Sequence, residues 1–159
     1  MISRERVKYS VILDDSALIF KARHALALPD FLGAPFVEPL HEHEFRARLK
    51  ISGSLDESAC VVDFGAARRV LLEVLAELND RTIVATDSPS KGTPTPAEKV
   101  VSLEATNPST EEIAFWALDR FVSRFSEVSK RNPEEFGFAL RLEEAPGCFA
   151  EAELPFSRP

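Results

Sequence analysis

The 159-residue chain has no long apolar run and only two cysteines, Cys60 and Cys148. No segment approaches the roughly 18–20 apolar residues of a membrane-spanning helix. Residues 1–6 lack the apolar core of a signal peptide. The cysteines show no C-x-x-C spacing, so we expect reduced, buried thiols without a redox role. These absences predict a cytoplasmic protein that does not act at a membrane.

Positive charges are outnumbered by negative ones. The chain has 19 Lys and Arg against 26 Asp and Glu, a net charge of −7. Nucleic acids and anionic membranes require a basic face, so we expect neither as a partner. An anionic small substrate is still compatible with this charge, because a pocket can be locally positive. The length suits one domain, residues 1–159, with its own core.

Histidine occurs only three times, and two of the three form an H-x-H motif, His41 and His43. Residues two apart in an extended strand point to the same side, about 6–7 Å apart at Cα. From His43 to Ile51 the odd positions after the histidine are apolar, and the even positions are charged. This alternation predicts that both histidines lie on the inward face of a half-buried strand.

His24 follows the same rule in its own strand, on the face of Phe20 and Ala22 and opposite Lys21 and Arg23. Three inward imidazoles suit Zn²⁺, whose catalytic sites take three protein ligands and leave a fourth position open. The alternative is a metal-free interaction domain, in which each histidine is a hydrogen-bonded core residue or an exposed strand-end residue.

Glu144 ends another alternating run. The even positions from Phe136 to Leu142 are apolar, and Glu144 continues that face. A carboxylate in such a place must be paired or bind a ligand, because isolated burial is costly. The alternative is a strand-end carboxylate that reaches solvent.

The hydrophobic periodicity predicts the order of the elements along the chain. We expect strands over 7–13, around His24, over 41–52, 59–63, 99–103, 135–144 and 149–156, with helices after Asp63 and Ser109 and loops at 25–40 and 87–98. The first two strands are candidates for a hairpin across residues 14–16. Asp63 is a good N-cap, and Ser109 with Glu112 fits a capping box. The order predicts an α+β fold, with an antiparallel sheet and both helices on one face.

Five short motifs, in this order, resemble the 6-pyruvoyl-tetrahydropterin synthase and 6-carboxy-tetrahydropterin synthase family. They are residues 20–24 (FKARH), 41–45 (HEHEF), 61–64 (VVDF), 107–111 (NPSTE) and 144–146 (EAP). The family pattern is F-x-A-x-H, H-G-H-x-Y/F, V-x-D-F, P-T-x-E and a late E-T-P. The resemblance covers about residues 17 to 152.

The resemblance implies a T-fold: an antiparallel four-stranded sheet with two helices on one face, assembled into a homohexamer. It implies that His24, His41 and His43 bind Zn²⁺. It also implies a lyase that acts on dihydroneopterin or its triphosphate in tetrahydropterin, deazapurine or folate-type biosynthesis.

The resemblance further implies the substrate-binding residues. Glu144 would hold the pterin ring through its N–H edge, a contact that suits a carboxylate. Thr110 and Glu111 match the part of the family pattern that lines the same pocket. Helix capping by the neighbouring residues is the alternative explanation for that stretch.

The chain departs from the family at the groups that move protons. Val37 stands where the common form has a cysteine base, but Glu38 and His41 have the E-x-x-H spacing of a branch in which glutamate replaces it. Asn79 and Asp80 stand where the family has an Asp-His pair. We therefore take Glu38 and Asp80 as candidates for proton transfer. The alternative is a catalytically lapsed member that binds a pterin-like ligand or serves as an oligomeric scaffold.

Overall fold

The computed structural model describes residues 7–87 and 99–156. In these residues the strands are β1 (Tyr9–Leu13), β2 (Ile19–His24), β3 (Ala27–Phe31), β4 (Ala34–Val37), β5 (His41–Gly53), β6 (Arg81–Ala85), β7 (Val100–Leu103), β8 (Phe136–Ala145) and β9 (Cys148–Leu154). The helices are α1 (Phe64–Leu78) and α2 (Thr110–Ser129), and a short 3-10 helix spans Pro133–Glu135.

Strand β5 is the centre of the main sheet. It pairs antiparallel with β2 through its first half and with β1 through its second half, and on its other side with β8. Its inward residues Phe45, Ala47, Leu49 and Ile51 are completely buried. The alternation in the sequence therefore corresponds to one face in the core and one face in solvent.

Both helices pack against that inward face, as predicted. The buried residues of α1 and α2 form one apolar cluster with the inward residues of the sheet. The predicted caps are also confirmed: the Asp63 carboxylate accepts a hydrogen bond from the Ala66 N–H, and the Ser109 side chain accepts one from the Glu112 N–H. No helix in the described part of the chain is long and apolar enough to cross a membrane.

The sheet is larger than the expected four antiparallel strands. In the described residues it has seven strands and is mixed, because β6 lies parallel to β2 and to β7. Strand β6 is absent from the predicted elements; it has only five residues, and two residues separate it from the end of α1. Asp80 reverses the chain there with a positive φ of 58°.

Two local predictions were wrong. Side chains can form hydrogen bonds to backbone groups that would otherwise pair in a strand. Residues 59–63 are not a strand: Asp56 accepts hydrogen bonds from the Ser58 and Cys60 N–H groups and so builds a turn. The predicted loop 25–40 contains the separate two-stranded sheet β3–β4, with an irregular register between Leu28 and Phe31. Pro29 lies in β3 and Pro35 in β4, and a missing N–H donor is tolerated at the edge of a sheet.

Three further expectations need correction or lie outside the described residues. Strands β1 and β2 do not pair with each other as a hairpin, because β5, with 13 residues, is long enough to pair with both in turn. Both cysteines are exposed rather than buried, and both are free thiols. Apart from residue 87, the predicted loop 87–98 is not among the described residues.

We predict that Phe45→Ala lowers the free energy of unfolding by about 3–5 kcal/mol, because it leaves a cavity in the core. Phe45 is fully buried and stacks on Phe20, with ring centroids 4.9 Å apart. Phe115→Ala is the matched control, since Phe115 is 61% exposed and its loss should change stability by no more than about 0.5 kcal/mol. Urea denaturation measures both; equal losses would contradict this packing.

Candidate metal centre

The register of β2 against β5 brings the three histidines to one face of the sheet. His24 lies directly opposite His41, and Ala22 lies opposite His43. Residues directly opposite each other in an antiparallel pair share a face, and so do residues two apart along one strand. The small side chain of Ala22 leaves room beside the His43 ring.

The three rings form a compact group. Their centroids lie 4.9 Å apart for His24 and His41, 5.3 Å for His24 and His43, and 4.8 Å for His41 and His43. Phe45 lies at the base of the group, 5.8 Å from both the His24 and the His43 rings. His24 is buried, whereas about a third of His41 and a quarter of His43 are exposed. The group is therefore open to solvent on one side.

Glu144 completes a set of four possible metal ligands. One ligand atom from each of the three histidines and from Glu144 lies within 4.8 Å of the others. Glu144 Oε1 is 3.0 Å from both His24 Nε2 and His43 Nε2. Nitrogen and carboxylate oxygen are donors that Zn²⁺ takes in catalytic sites.

Two backbone carbonyls orient two of the three imidazoles. His24 Nδ1 lies 2.7 Å from the Pro108 carbonyl oxygen, and His41 Nδ1 lies 2.9 Å from that of Pro39. A carbonyl only accepts, so each Nδ1 carries its proton and donates it. In the neutral form of each ring the lone pair is then on Nε2, as in metal sites where a second partner fixes the tautomer.

The contacts of the two His24 ring nitrogens indicate whether a cation fits between His24 and Glu144. With Nδ1–H donated to Pro108, a neutral His24 places its Nε2 lone pair against the Glu144 carboxylate at 3.0 Å. Two lone pairs repel at that distance unless a proton or a metal cation lies between them. The donor set of this cluster therefore fits a divalent cation such as Zn²⁺.

The fold also aims Glu144 at this group. The pairing of β8 with β9 shifts register between Glu143 and Ala145, and such a bulge redirects a side chain. The Thr110 hydroxyl, in the first turn of α2, donates to Glu144 Oε2 at 2.6 Å. An anionic carboxylate at a helix N-terminus is also favoured by the helix dipole.

The protonation states of these groups suit metal binding. Burial is the largest influence on His43 and lowers its pKa; His24 and His41 lower it further, although the Glu144 carboxylate raises it. Burial alone would raise the pKa of Glu144, but the Thr110 hydrogen bond and the charges of His24 and His43 hold it below the ordinary value. At neutral pH His43 is therefore a neutral donor and Glu144 an anionic one, as metal ligands must be.

Glu38 lies next to the group, just after β4. Its Oε2 is 4.0 Å from His41 Nε2 and accepts the Leu26 N–H at 3.2 Å. About a quarter of its side chain is exposed, so water or a small molecule can reach it. The carboxylate is thus placed beside the face that carries the three histidines, without being a member of the four-donor set.

The structure does not bring the other two sequence candidates to this group. Glu111 is exposed in the first turn of α2. The Asp80 side chain accepts a hydrogen bond from Asn79, and its N–H donates to the Lys21 carbonyl. Asn79 in turn accepts the Lys21 N–H. In the described residues this pair joins the end of α1 to β2.

Neither Asn107 nor Pro108 has a role predicted from the sequence beyond the family motif that contains them. The Pro108 carbonyl orients His24, and the Asn107 side chain bonds the backbone of Ala27. A carbonyl has no signature in a sequence, because every residue carries one. An asparagine two residues before a helix cap could have been singled out, since it bonds backbone groups readily.

The comparisons with known proteins identify the family and the fold. The profile of the family described as 6-pyruvoyl tetrahydropterin synthase matches residues 17–155. No curated protein sequence gives a significant match. The structure is similar to 6-pyruvoyl tetrahydropterin synthase from Plasmodium vivax, with 17% identity and a TM-score of 0.79 over 93% of this chain and 98% of that one.

Two further solved structures have the same architecture. The Plasmodium falciparum enzyme shares 19% identity and a TM-score of 0.78, with 92% of this chain and 98% of that chain covered. A Plasmodium vivax variant, in which alanine replaces a glutamate described as a catalytic residue, has 17% identity, a TM-score of 0.78 and coverage of 93% and 98%. These similarities confirm the T-fold: two helices packed against one face of a curled sheet.

We predict that His43→Gln lowers zinc affinity by more than about 100-fold, since loss of an outer partner of a ligand already costs about 10–100-fold. The metal-free variant should remain folded, because His43 is a partly exposed side chain at the edge of the core. Competition with a chelator measures affinity, and circular dichroism measures folding. Undiminished zinc affinity in a folded variant would contradict the metal centre and favour structural histidines.

Proposed function

The chain belongs to the 6-pyruvoyl tetrahydropterin synthase family, and we propose that it is a zinc-dependent lyase acting on the side chain of a dihydropterin. The proposed substrates are dihydroneopterin and its triphosphate. One observation carries the proposal: the possible ligand atoms of three histidines and of Glu144 lie within 4.8 Å of one another, on a face open to solvent.

In this proposal His24, His41 and His43 hold Zn²⁺. When bound, zinc would polarise the hydroxyl groups of the substrate side chain and lower their pKa values. Backbone carbonyls support two of these ligands. Those of Pro108 and Pro39 accept hydrogen bonds from Nδ1 of His24 and His41 and keep these rings in the tautomer that leaves Nε2 available.

Of the four possible ligands, Glu144 is proposed to anchor the pterin ring rather than to bind the metal. Its two oxygens can accept two parallel N–H donors, a geometry that fixes a planar heterocycle. The Thr110 hydroxyl holds Oε2 and helps to keep the carboxylate ionised. Glu111 remains a predicted substrate contact, exposed one residue further along the helix.

Glu38 is proposed as the group that takes up and returns protons. A carboxylate contributes to such a step when it lies within reach of the reacting atoms, directly or through one water. The position of Glu38 beside His41 supports this role, as does the glutamate described as a catalytic residue in the Plasmodium vivax relative. The E-x-x-H spacing favours the branch that releases 6-hydroxymethyl-dihydropterin.

The remaining family properties are also proposals for this chain. We propose a homohexamer in the cytoplasm, with no nucleic-acid or membrane partner. Asp80 remains a candidate for proton transfer, although its hydrogen bonds go to Lys21 and Asn79.

The hydrogen bonds of Asn79 and Asp80 favour a second candidate function. Asn79 and Asp80 stand where the family has its Asp-His pair, and here they join α1 to β2 through hydrogen bonds to Lys21. In a chain that uses these positions only for structure, that proton relay would be absent. The second candidate is therefore a non-catalytic member that binds a pterin-like ligand.

We predict that zinc-loaded protein converts dihydroneopterin or its triphosphate to a 6-hydroxymethyl or 6-pyruvoyl product, which chromatography separates from the substrate. Glu38→Gln should slow this conversion by about 10²–10⁴-fold, the usual contribution of a general acid or base. Glu42→Gln is the matched control, because Glu42 is an exposed glutamate of β5 between His41 and His43. The rate of conversion by this variant should change less than about twofold.

One outcome would contradict the role of Glu38, and another would contradict the lyase assignment. Equal rates for Glu38→Gln and the wild type would remove Glu38 from the reaction. An unchanged substrate pool, with zinc bound and the fold intact, would exclude turnover of these substrates and favour the non-catalytic candidate.

A further inference from the structure

The Asn107 side chain bonds a strand edge in the way that a neighbouring strand would. Its Oδ1 accepts the Ala27 N–H at 2.8 Å, and its Nδ2 donates to the Ala27 carbonyl at 2.9 Å. The N–H and C=O of one residue point to the same side of a strand. Both groups of Ala27 are therefore turned away from β4 and towards Asn107, 80 residues away in sequence.

Ala27 is the first residue of β3, where the β3–β4 hairpin begins. It is buried, with 8% exposure, so its two backbone groups need partners within the protein. The hairpin forms a separate sheet of two strands, whereas the histidines belong to the main sheet. A bond at the base of the hairpin therefore fixes its position relative to the main sheet.

Glu38 is attached to this same base. The Glu38 N–H donates to the Leu26 carbonyl at 2.9 Å, and its Oε2 accepts the Leu26 N–H at 3.2 Å. Leu26 is the residue directly before Ala27. The position of the Glu38 carboxylate thus depends on a backbone segment that Asn107 holds.

The residues that follow Asn107 hold the other parts of the site. The Pro108 carbonyl accepts from His24, Ser109 caps α2, and Thr110 donates to Glu144. Residues 107–110 therefore connect the hairpin, a metal-binding histidine and the carboxylate anchor in one short segment.

We propose that Asn107 is a positioning residue, which holds the base of the β3–β4 hairpin and thereby sets the position of Glu38 beside the metal-binding histidines. The consequence for turnover rests on the proposed function. The mechanical part of the inference, that Asn107 holds Leu26, Ala27 and Glu38, depends only on the hydrogen bonds.

Amide hydrogen exchange tests the mechanical part. In zinc-loaded Asn107→Ala the Ala27 and Glu38 amides should exchange at least tenfold faster than in the wild type. The Ala47 and Leu49 amides of β5 should change less than threefold. Asn107→Asp is a second variant, which keeps an acceptor for the Ala27 N–H but sets an oxygen against the Ala27 carbonyl; it should loosen the same amides.

Asn132→Ala is the matched control. Asn132 also uses its side chain to accept a backbone N–H, that of Glu134, at the start of the short 3-10 helix. Its loss should leave the Ala27 and Glu38 amides unchanged. Unchanged exchange at these two amides in both Asn107 variants would overturn the inference, whether or not the protein turns over a pterin.

A double-mutant cycle tests the route through Glu38. Asn107→Ala should lower kcat at least tenfold with KM and zinc affinity within threefold, and it should cost less than twofold when added to Glu38→Gln. Equal losses of kcat in both backgrounds would overturn this route. Absence of turnover in the wild type would contradict the proposed function, and hydrogen exchange would then decide the positioning role alone.

Discussion

The antiparallel pairing of β2 with β5 is the interaction on which the candidate site depends. It sets His24 opposite His41 and leaves Ala22 opposite His43. A slip of one residue would turn one strand's side chains to the other face, because the side-chain period of a strand is two. The stack of Phe20 on Phe45, directly opposite each other in this pairing, resists such a slip by burying both rings.

A second constraint comes from the start of α2, which lies beside the histidine face. Pro108 and Thr110 bring an acceptor to His24 and a donor to Glu144 within three residues. His24, Pro108 and Thr110 are buried, so their polar groups would be costly without partners. The site is therefore supported by the same hydrogen bonds that fix the helix on the sheet, and the exposed side remains available for a ligand.

Much of this arrangement is predictable from the sequence, and the reasons are local. The alternation after His43 and the apolar periodicity of α1 and α2 report one buried face each, which a pattern reveals directly. The caps Asp63 and Ser109 are side chains with a known preference. These signals predict the α+β fold, and together with the family motifs they single out the three histidines and Glu144.

What the sequence does not reveal depends on long-range geometry. The parallel pairing of β6 has no local signature, and the Asp56 turn replaces a strand that residues 59–63 otherwise resemble. The bond between Asn107 and Ala27 joins residues that are 80 positions apart. The hydrogen bonds of Asn79 and Asp80 to Lys21 likewise join residues far apart in the sequence.

X-ray absorption spectroscopy of the zinc-loaded protein tests the central claim, that the histidine cluster is a metal centre, most directly. We expect a first shell of nitrogen and oxygen at about 2.0–2.2 Å, with the outer-shell scattering of three imidazoles. Sulfur at about 2.3 Å would instead assign the metal to the exposed thiols of Cys60 and Cys148. That result, or the absence of imidazole scattering, would contradict the account.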